Sequence, residues 1–269
     1  MSWQGPGFWL IAALLLGGAM PAAATGVRAS AQAPPRTSPA VGECVVLLHG
    51  LGRTHRSMDG MAEALLTAGY ATVNIDYPSR ERSIQDLAPR AVHAGVAGCE
   101  RLDARRIHFV THSMGGILVR FHLARHRLPR LGRVVMLAPP NQGSEVADAL
   151  RQEQWYAWYN GPAGQQLGTG EDSVPQGLGP VDFPLGVITG DRVAFFDQWL
   201  ADQIPGANDG KVSVARARVQ GMRDFLVLPY PHSFIMREAE VIEQTLHFLG
   251  HGHFRRQAQQ TGATPDARG

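Results

Sequence analysis

The sequence contains almost no lysine: Lys211 is the single lysine among 25 basic residues, and the rest are arginine. The formal net charge is only +2, so no strongly basic surface is indicated and we expect no nucleic-acid partner. Cysteine is equally scarce, since only Cys44 and Cys99 occur and neither lies near the N-terminus, which excludes an N-terminal lipid attachment site. With 44% hydrophobic and 18% charged residues, the composition indicates a globular chain rather than a disordered one.

A long uninterrupted hydrophobic run is also missing. The most apolar stretch, residues 8–20, contains two adjacent glycines and ends before Pro21, so it falls short of the ~20 apolar residues that span a membrane. Small residues follow it in A-x-A-like arrangements, which predicts an export signal over residues 1–31, cleaved after Ala24 or Ala31. The expected location is therefore periplasmic or secreted. Because no Lys or Arg precedes this stretch, an uncleaved N-terminal segment that anchors the protein to the membrane remains the alternative.

The rest of the chain divides into three regions. Residues 32–42 are rich in Pro, Ala and Ser without hydrophobic periodicity, which predicts a flexible lead-in. The folded domain is expected over residues 43–255, and residues 256–269 are expected to form a disordered tail.

Short apolar runs alternate with helix-like stretches throughout the predicted domain. The six predicted strands are CVVLLHG, ATVNIDY, RIHFVTH, RVVMLAPP, PLGVITG and FLVLPY. Helices are predicted near residues 56–69, 84–98, 115–127, 193–202 and 237–249. This alternation predicts an α/β fold, in which about six mostly parallel strands form a sheet with helices on both faces.

The polar motifs of the sequence fall at one edge of this sheet. In such sheets, ligands bind outside the carboxyl ends of the strands. The stretches LLHGLG, VTHSMGG and YPHSF each end or follow a predicted strand, so they are expected at that edge. Cys44 and Cys99 fall instead at the amino ends of the first and third strands. These strands should be neighbours, so a disulfide between the two cysteines is expected in an exported protein.

Ser113 lies in a strand–turn–helix context, between RIHFV and ILVRFHLARH. This context is typical of a nucleophile elbow, in which a strained turn exposes the serine hydroxyl and glycines allow close backbone approach. Gly115 and Gly116 provide those glycines on the helix side, whereas Thr111 stands where G-x-S-x-G has its first glycine. We expect local adjustment around the compact threonine. A serine that only caps the helix is the alternative interpretation.

A serine hydroxyl needs a base that takes its proton and a carboxylate that orients this base. His232, in a proline-bent loop after the last predicted strand, is the best placed of the 11 histidines. Two carboxylates follow the fifth strand: Asp209 lies in a turn before the sixth strand, and Asp191 lies directly at the fifth strand's end. Arg192 offers Asp191 a structural ion-pair partner, and Asn208-Asp209-Gly210 is typical of a turn whether or not Asp209 is catalytic. Asp209 is favoured from the chain order of such triads, and Asp191 stays open as the acid.

A tetrahedral intermediate on such a serine needs preorganised N–H donors. The main-chain N–H groups of Leu51, after the first strand, and of Met114, after Ser113, are the predicted donors. His49 ends the same strand before Gly50, and we expect it to hold the loop through hydrogen bonds rather than to act as the base. This chemistry requires no metal ion and no organic cofactor.

Together these motifs resemble the α/β-hydrolase superfamily, and more closely its bacterial lipases and esterases. The resemblance spans residues 43–250 and rests on the motif His49-Gly50, the elbow, PPNQGS, DGKVSV and PHS. It implies Leu51 and Met114 as oxyanion donors, and Asp209 as the acid because this residue begins a D-G-x-V segment. It also implies a minimal form of the fold, because two strands usually precede the one equivalent to CVVLLHG.

Residues 144–182 form a long connection between the fourth and fifth strands, which predicts a short cap or lid over the site. The stretch EQWYAWYN within it places Trp155, Trp158 and Tyr159 on one helical face. Two interpretations stay open: a lid that binds acyl chains or senses an interface, or a helix that packs permanently on the sheet.

The sequence therefore predicts serine-dependent hydrolysis of carboxylic esters, with lipid-like acylglycerol esters as expected substrates and transient contact with a lipid interface. An acyltransferase or a thioesterase would use the same residues with a different acceptor or acyl carrier. An alternative from another functional class is a non-catalytic binding module on the same fold. In that case Thr111 would indicate a nucleophile elbow that no longer functions.

Overall fold

The computed structural model describes residues 28–32, 40 and 42–256. Most of the predicted export signal, most of the predicted lead-in and the tail from residue 257 onward lie outside the described residues. Within the described part, no helix has the length and hydropathy needed to cross a membrane.

Strands and helices alternate along the described chain, as the hydrophobic pattern predicts. The strands are β1 (Arg28–Gln32), β2 (Glu43–Leu48), β3 (Ala71–Asp76), β4 (Arg106–His112), β5 (Leu131–Leu137), β6 (Leu185–Gly190) and β7 (Asp224–Leu228). The α-helices are α1 (Asp59–Thr67), α2 (Ile84–Arg101), α3 (Met114–Leu123), α4 (Glu145–Leu150), α5 (Gln154–Gln165), α6 (Val174–Gly177), α7 (Gln198–Ala201) and α8 (Ala239–His251). Short 3₁₀ helices cover His55–Met58, Phe195–Asp197 and Ile235–Arg237.

The strands form one sheet in the order β1-β3-β2-β4-β5-β6-β7. Strands β2 to β7 run parallel, and each corresponds to one of the six predicted strands. The predicted fold class, a minimal α/β-hydrolase fold built on six parallel strands, is therefore confirmed. All six carboxyl ends point to the same edge of the sheet, where the predicted site motifs meet.

Strand β1 is the feature of the sheet that the sequence did not predict. It pairs antiparallel with β3, with Arg28 opposite Asp76 and Gln32 opposite Thr72. The structure thus has a strand at residues 28–32, where the sequence analysis predicts the end of an export signal and the start of a flexible lead-in. Its sequence RASAQ has no run of apolar or β-branched residues. The strand pairs with β3 through main-chain hydrogen bonds, which do not depend on side-chain type, so the sequence pattern does not indicate a strand here.

Alternate residues of the central strands face two separate hydrophobic cores, which is the period of two expected for a strand. Val46 and Leu48 of β2 pack in one core with α2 and α3. Val45 and Leu47 pack in the other core with α1 and α8. Because all four side chains are fully buried, the sheet is covered on both faces, as a parallel sheet requires.

The disulfide between Cys44 and Cys99 is present, with the two Cα atoms 5.7 Å apart. It joins the start of β2 to the last turn of α2, and β2 lies beside β4 as the topology predicts. The expected pairing is confirmed. The bond lies at the amino ends of the strands, away from the edge that carries the polar motifs.

Residues 144–182 contain three short helices, α4, α5 and α6. Helix α5 contains a kink at Gly161, where φ is 63° and ψ is −169°. A Cβ atom at this position would lie 1.6 Å from the carbonyl oxygen of Arg80, so glycine is required for the close approach of α5 to the loop after β3. The segment predicted as one helix over residues 193–202 is instead the 3₁₀ turn Phe195–Asp197 followed by α7.

Candidate active site

Ser113 occupies the sharp turn between β4 and α3. Its backbone has φ 52° and ψ −124°, a strained conformation for a residue with a side chain. The close packing behind this turn needs glycine, because a Cβ atom at Gly115 would lie 2.6 Å from the carbonyl oxygen of Leu48. Thr111 is fully buried at the end of β4 and keeps its place in the parallel pairing with Leu48 and Met136. Threonine at this position is therefore compatible with the turn.

Three side chains that are distant in the sequence meet at this turn. The hydroxyl of Ser113 donates to Nε2 of His232 at 3.1 Å, and Nδ1 of His232 donates to Oδ2 of Asp209 at 2.8 Å. Asp209 is fully buried and His232 is nearly so. The row has the order hydroxyl, imidazole, carboxylate, which is the arrangement that activates a serine in acyl-transfer enzymes.

The Asp209 carboxylate is fixed by its own loop. Its Oδ1 accepts main-chain hydrogen bonds from Lys211 at 3.0 Å and Val212 at 2.8 Å. Asp191, the other predicted acid, lies in the loop after β6 beside Arg192, with 3.8 Å between the guanidinium and the carboxylate. The structure therefore brings Asp209, and not Asp191, to His232.

The predicted oxyanion donors flank Ser113. The N–H of Ser113 itself donates to the carbonyl oxygen of Leu137 at 2.8 Å. Met114 is the first residue of α3, and N–H groups in a first helical turn have no acceptor within the helix. Leu51 lies in the loop after β2 and lines the same cavity as Ser113. The structure thus places Met114 directly after Ser113 at the start of α3, and Leu51 in the lining of the cavity that Ser113 adjoins.

His49 is fully buried below the Leu51 loop. Its Nδ1 donates to the carbonyl oxygen of Gly50 at 2.8 Å, and its ring stacks on Tyr77 with centroids 4.0 Å apart. The hydroxyl of Tyr77 donates to the carbonyl oxygen of His49. Burial lowers the pKa of His49 to about 4, so the ring is neutral at pH 7 and holds the loop.

His112 is a residue of this site that sequence reasoning missed. Its Nε2 donates to the carbonyl oxygen of His232 at 3.0 Å, while its Nδ1 is buried without a hydrogen-bond partner in the described part of the chain. Burial holds the pKa of His112 well below its ordinary value. His112 thus links the elbow to the loop that carries His232. Its position directly before Ser113 places it near the site, but no sequence pattern indicates its hydrogen bond to the His232 loop.

A cavity of about 520 Å³ adjoins Ser113 and His232, a volume typical of sites for small organic ligands. One side of it, the apolar wall, combines residues of the 144–182 segment with one from the Asp209 loop. The apolar wall consists of Val146, Ala147, Leu150, Leu167 and Val212.

The cavity lining includes aromatic side chains that have exposed aromatic neighbours in space or in the sequence. The large hydrophobic side chains that are exposed in the described chain are Trp158, Tyr159, Phe195, Phe196, Trp199 and Phe234. Tyr159, Phe196 and Trp199 line the cavity. The rings of Phe195 and Phe234 pack on Phe196 with centroid distances of 5.2 and 6.0 Å, and Trp158 precedes Tyr159 in α5. We call this set the aromatic rim.

A strained serine turn at the carboxyl edge of a parallel sheet, followed by a helix, is the arrangement that defines the α/β hydrolases. The comparison with family models agrees with this class. The model described as "Alpha/beta hydrolase family" matches residues 45–262, and the chain belongs to this family.

Solved structures with the same fold include lipolytic enzymes. The mature lipase BlEst2 of Bacillus licheniformis is 21% identical, with a TM-score of 0.69 over 82% of this chain and 98% of that one. A structure from work on the metagenome-derived lipolytic enzymes LipS and LipT is 16% identical, with a TM-score of 0.54 over 84% and 97%. A bromoperoxidase from Bacillus anthracis is also 16% identical, with a TM-score of 0.51 over 83% and 94%. At such low sequence identities the similarity shows only the fold. The reaction has to be assigned from the residues of the site.

No curated protein sequence matches the chain. The assignment of its reaction therefore depends on the geometry around Ser113.

Proposed function

We propose that the protein hydrolyses carboxylic esters through an acyl-enzyme intermediate on Ser113. The observation that carries the proposal is the row of hydrogen bonds from Ser113 through His232 to Asp209, at 3.1 and 2.8 Å. Ser113 and His232 of this row line a cavity large enough for an ester. A serine that merely capped α3 would have no reason to contact a buried histidine–carboxylate pair.

In the acylation step, Oγ of Ser113 attacks the ester carbonyl carbon while Nε2 of His232 takes the hydroxyl proton. The Asp209 carboxylate accepts from Nδ1 and stabilises the imidazolium that forms. The N–H groups of Leu51 and Met114 bind the oxyanion, and each such donor contributes about 3 kcal/mol to transition-state stabilisation. His232 then gives its proton to the leaving alcohol oxygen, and the C–O bond breaks.

In the deacylation step, water replaces the alcohol. His232 takes a proton from the water as it attacks the acyl carbon, and returns that proton to Oγ of Ser113 when the carboxylic acid leaves. No metal ion or organic cofactor takes part in this sequence. Release of free acid without an added alcohol or thiol acceptor distinguishes hydrolysis from an acyltransferase reaction.

The proposed substrates are lipid-like esters such as acylglycerols. The apolar wall offers a surface for an acyl chain, because burial of apolar area is favourable by roughly 25 cal/mol per Å². The aromatic rim exposes Phe195 and Trp158 at 91% and 85%, and exposed apolar patches of this kind mark membrane or protein contacts. The rim supports a transient contact with a lipid interface.

Export is part of the proposal. The Cys44–Cys99 disulfide is typical of proteins in oxidising compartments, which supports a periplasmic or secreted location. Cleavage after Ala24 would keep β1 intact, whereas cleavage after Ala31 would leave only Gln32 of that strand. We therefore favour Ala24 over Ala31 as the cleavage site.

Labelling with a fluorophosphonate tests the proposed mechanism directly. The wild-type protein should form a covalent adduct at Ser113 and release acid from a soluble short-chain ester. Ser113→Ala should do neither, although its cavity and fold are unchanged. An unreactive, folded wild-type protein would favour a non-catalytic binding module instead.

A further inference from the structure

The lining of the cavity carries one more cation than carboxylates, and that cation is in no direct ion pair among the described residues. The lining includes the cations Arg53 and Lys211 and the carboxylate of Asp197. Lys211 and Asp197 neutralise each other, with 2.8 Å between Nζ and Oδ1. In the part of the chain that the structure describes, no carboxylate oxygen lies within the 4.0 Å ion-pair distance of Arg53.

The guanidinium of Arg53 is fixed by a side-chain hydrogen bond that occupies one of its N–H groups. One of its N–H groups donates to the carbonyl oxygen of Ser233 at 3.0 Å. Burial lowers the pKa of Arg53, the like charge of Arg237 lowers it further, and the Asp197 carboxylate, which Lys211 already pairs, raises it in part. Arg53 lines the cavity, and the planar fork of an arginine fits a phosphate or carboxylate with two hydrogen bonds.

The position of Arg53 indicates which part of a substrate it would meet. This step rests on the proposed function, in which His232 gives a proton to the leaving alcohol. The alcohol part of an ester must then lie beside His232, and Arg53 is bound to Ser233, the next residue. The apolar wall comes from other segments, α4 and the loops at Leu167 and Val212.

We infer that Arg53 binds an anionic group, a phosphate or a carboxylate, on the alcohol part of the ester substrate. The favoured substrates are thus esters with an apolar acyl chain and an acidic alcohol, such as acylated glycerol phosphates. The hydrolysis itself is unchanged: the anionic group makes no bond to Ser113 and only adds binding energy next to the reacting carbonyl.

Three soluble esters with the same acyl group test this inference. They are monobutyrin, which is neutral, 1-butyryl-glycerol 3-phosphate and 4-(butyryloxy)butanoate. With the full-length protein, kcat/KM should be higher for an anionic ester than for monobutyrin, and the phosphate and carboxylate arms show which anion is preferred. In Arg53→Gln, kcat/KM for the preferred anionic ester should fall about 10- to 100-fold more than for monobutyrin, since a charged hydrogen bond is lost.

Arg56→Gln is the matched control, because Arg56 is exposed on the next turn and does not line the cavity. It should keep the wild-type preference, and Arg53→Lys should keep part of it. Equal losses for all three esters in Arg53→Gln would show that Arg53 only supports the His232 loop, and would overturn the inference. So would a wild-type protein without preference for an anion. Failure of the proposed function is distinct: the wild-type protein would then hydrolyse none of the esters.

Discussion

Lys211 and Asp197 form an ion pair with 2.8 Å between Nζ and Oδ1, and this pair joins two loops of the site. Lys211 belongs to the loop whose main-chain N–H groups hold the Asp209 carboxylate. Asp197 ends the 3₁₀ turn that carries Phe195 and Phe196. The single lysine of the sequence thus connects the proposed catalytic acid to the aromatic rim.

Lys211→Met should lower the free energy of unfolding by about 2 kcal/mol. The Asp197 carboxylate, only 7% exposed, would lose its counter-ion, and the loss is smaller than for a fully buried pair because Lys211 is 35% exposed. Urea denaturation measures this change. Lys211→Met combined with Asp197→Leu should recover most of the stability. If the double variant were no more stable than Lys211→Met alone, the ion pair would not be the cause.

Asp209→Asn should lower kcat for a soluble ester by about 10⁴-fold, because an amide no longer holds His232 in the productive tautomer. Asp191→Asn is the matched control and should stay within about threefold of the wild-type protein, since Asp191 pairs with Arg192 rather than with His232. Steady-state kinetics on monobutyrin measure both. A larger loss in Asp191→Asn than in Asp209→Asn would reverse the assignment of the acid.

The candidate site residues could be predicted because residues that directly follow parallel strands lie at the same edge of the sheet. Ser113, His232 and Asp209 each follow a strand, and the carboxyl ends of parallel strands share one edge. The choice between Asp209 and Asp191 was harder, because both follow β6 on that edge. Only the loop geometry decides it, through the N–H groups of Lys211 and Val212 that fix the Asp209 carboxylate.

Contacts that depend on tertiary packing were not predictable from the pattern. His112 looks like one more residue of an apolar strand, and its hydrogen bond to the carbonyl oxygen of His232 joins residues 120 positions apart. Strand β1 is held at the sheet edge by main-chain pairing with β3. The helix predicted near residues 193–202 is a 3₁₀ turn followed by α7, and Phe195 in that turn is exposed to solvent.

Phe195→Ser together with Trp158→Ser should weaken the binding of the protein to phospholipid vesicles by about 10-fold or more. Each change removes a large exposed aromatic side chain from the aromatic rim, and buried aromatic area dominates interfacial binding. Sedimentation with phosphatidylcholine vesicles containing an anionic lipid measures this loss. Gln198→Ser, a polar change in the same segment, should bind as the wild-type protein does. Unchanged vesicle binding in the double aromatic variant would exclude the rim as the lipid contact.

Cys44→Ser with Cys99→Ser should lower the free energy of unfolding by about 4 kcal/mol under oxidising conditions, from the chain entropy of a loop with a sequence separation of 55 residues. The disulfide is remote from Ser113, so activity of the folded variant on monobutyrin should be retained. Equilibrium unfolding with and without a reductant measures the effect. A reductant should destabilise the wild-type protein and leave the double serine variant unchanged.

His122 should make the stability of the protein depend on pH. Its ring is buried in α3 with both nitrogens unpartnered among the described residues, and burial, followed by the like charges of His93 and His126, lowers its pKa from 6.5 to about 4. Between these two pH values the unfolded chain binds a proton that the folded chain does not. The contribution of neutral His122 is therefore complete above about pH 6.5 and is lost as the pH falls toward 4.

His122→Leu should remove this loss. Relative to the wild-type protein, the variant should gain about 1 to 2 kcal/mol more at pH 5.0 than at pH 7.5, because one pKa unit corresponds to about 1.4 kcal/mol. Urea unfolding at the two pH values measures the difference. His251→Leu, which replaces an exposed histidine at the end of α8, should show the same gain or loss at both pH values. An equal effect of pH on His122→Leu and on the wild-type protein would mean that His122 is not the group that titrates.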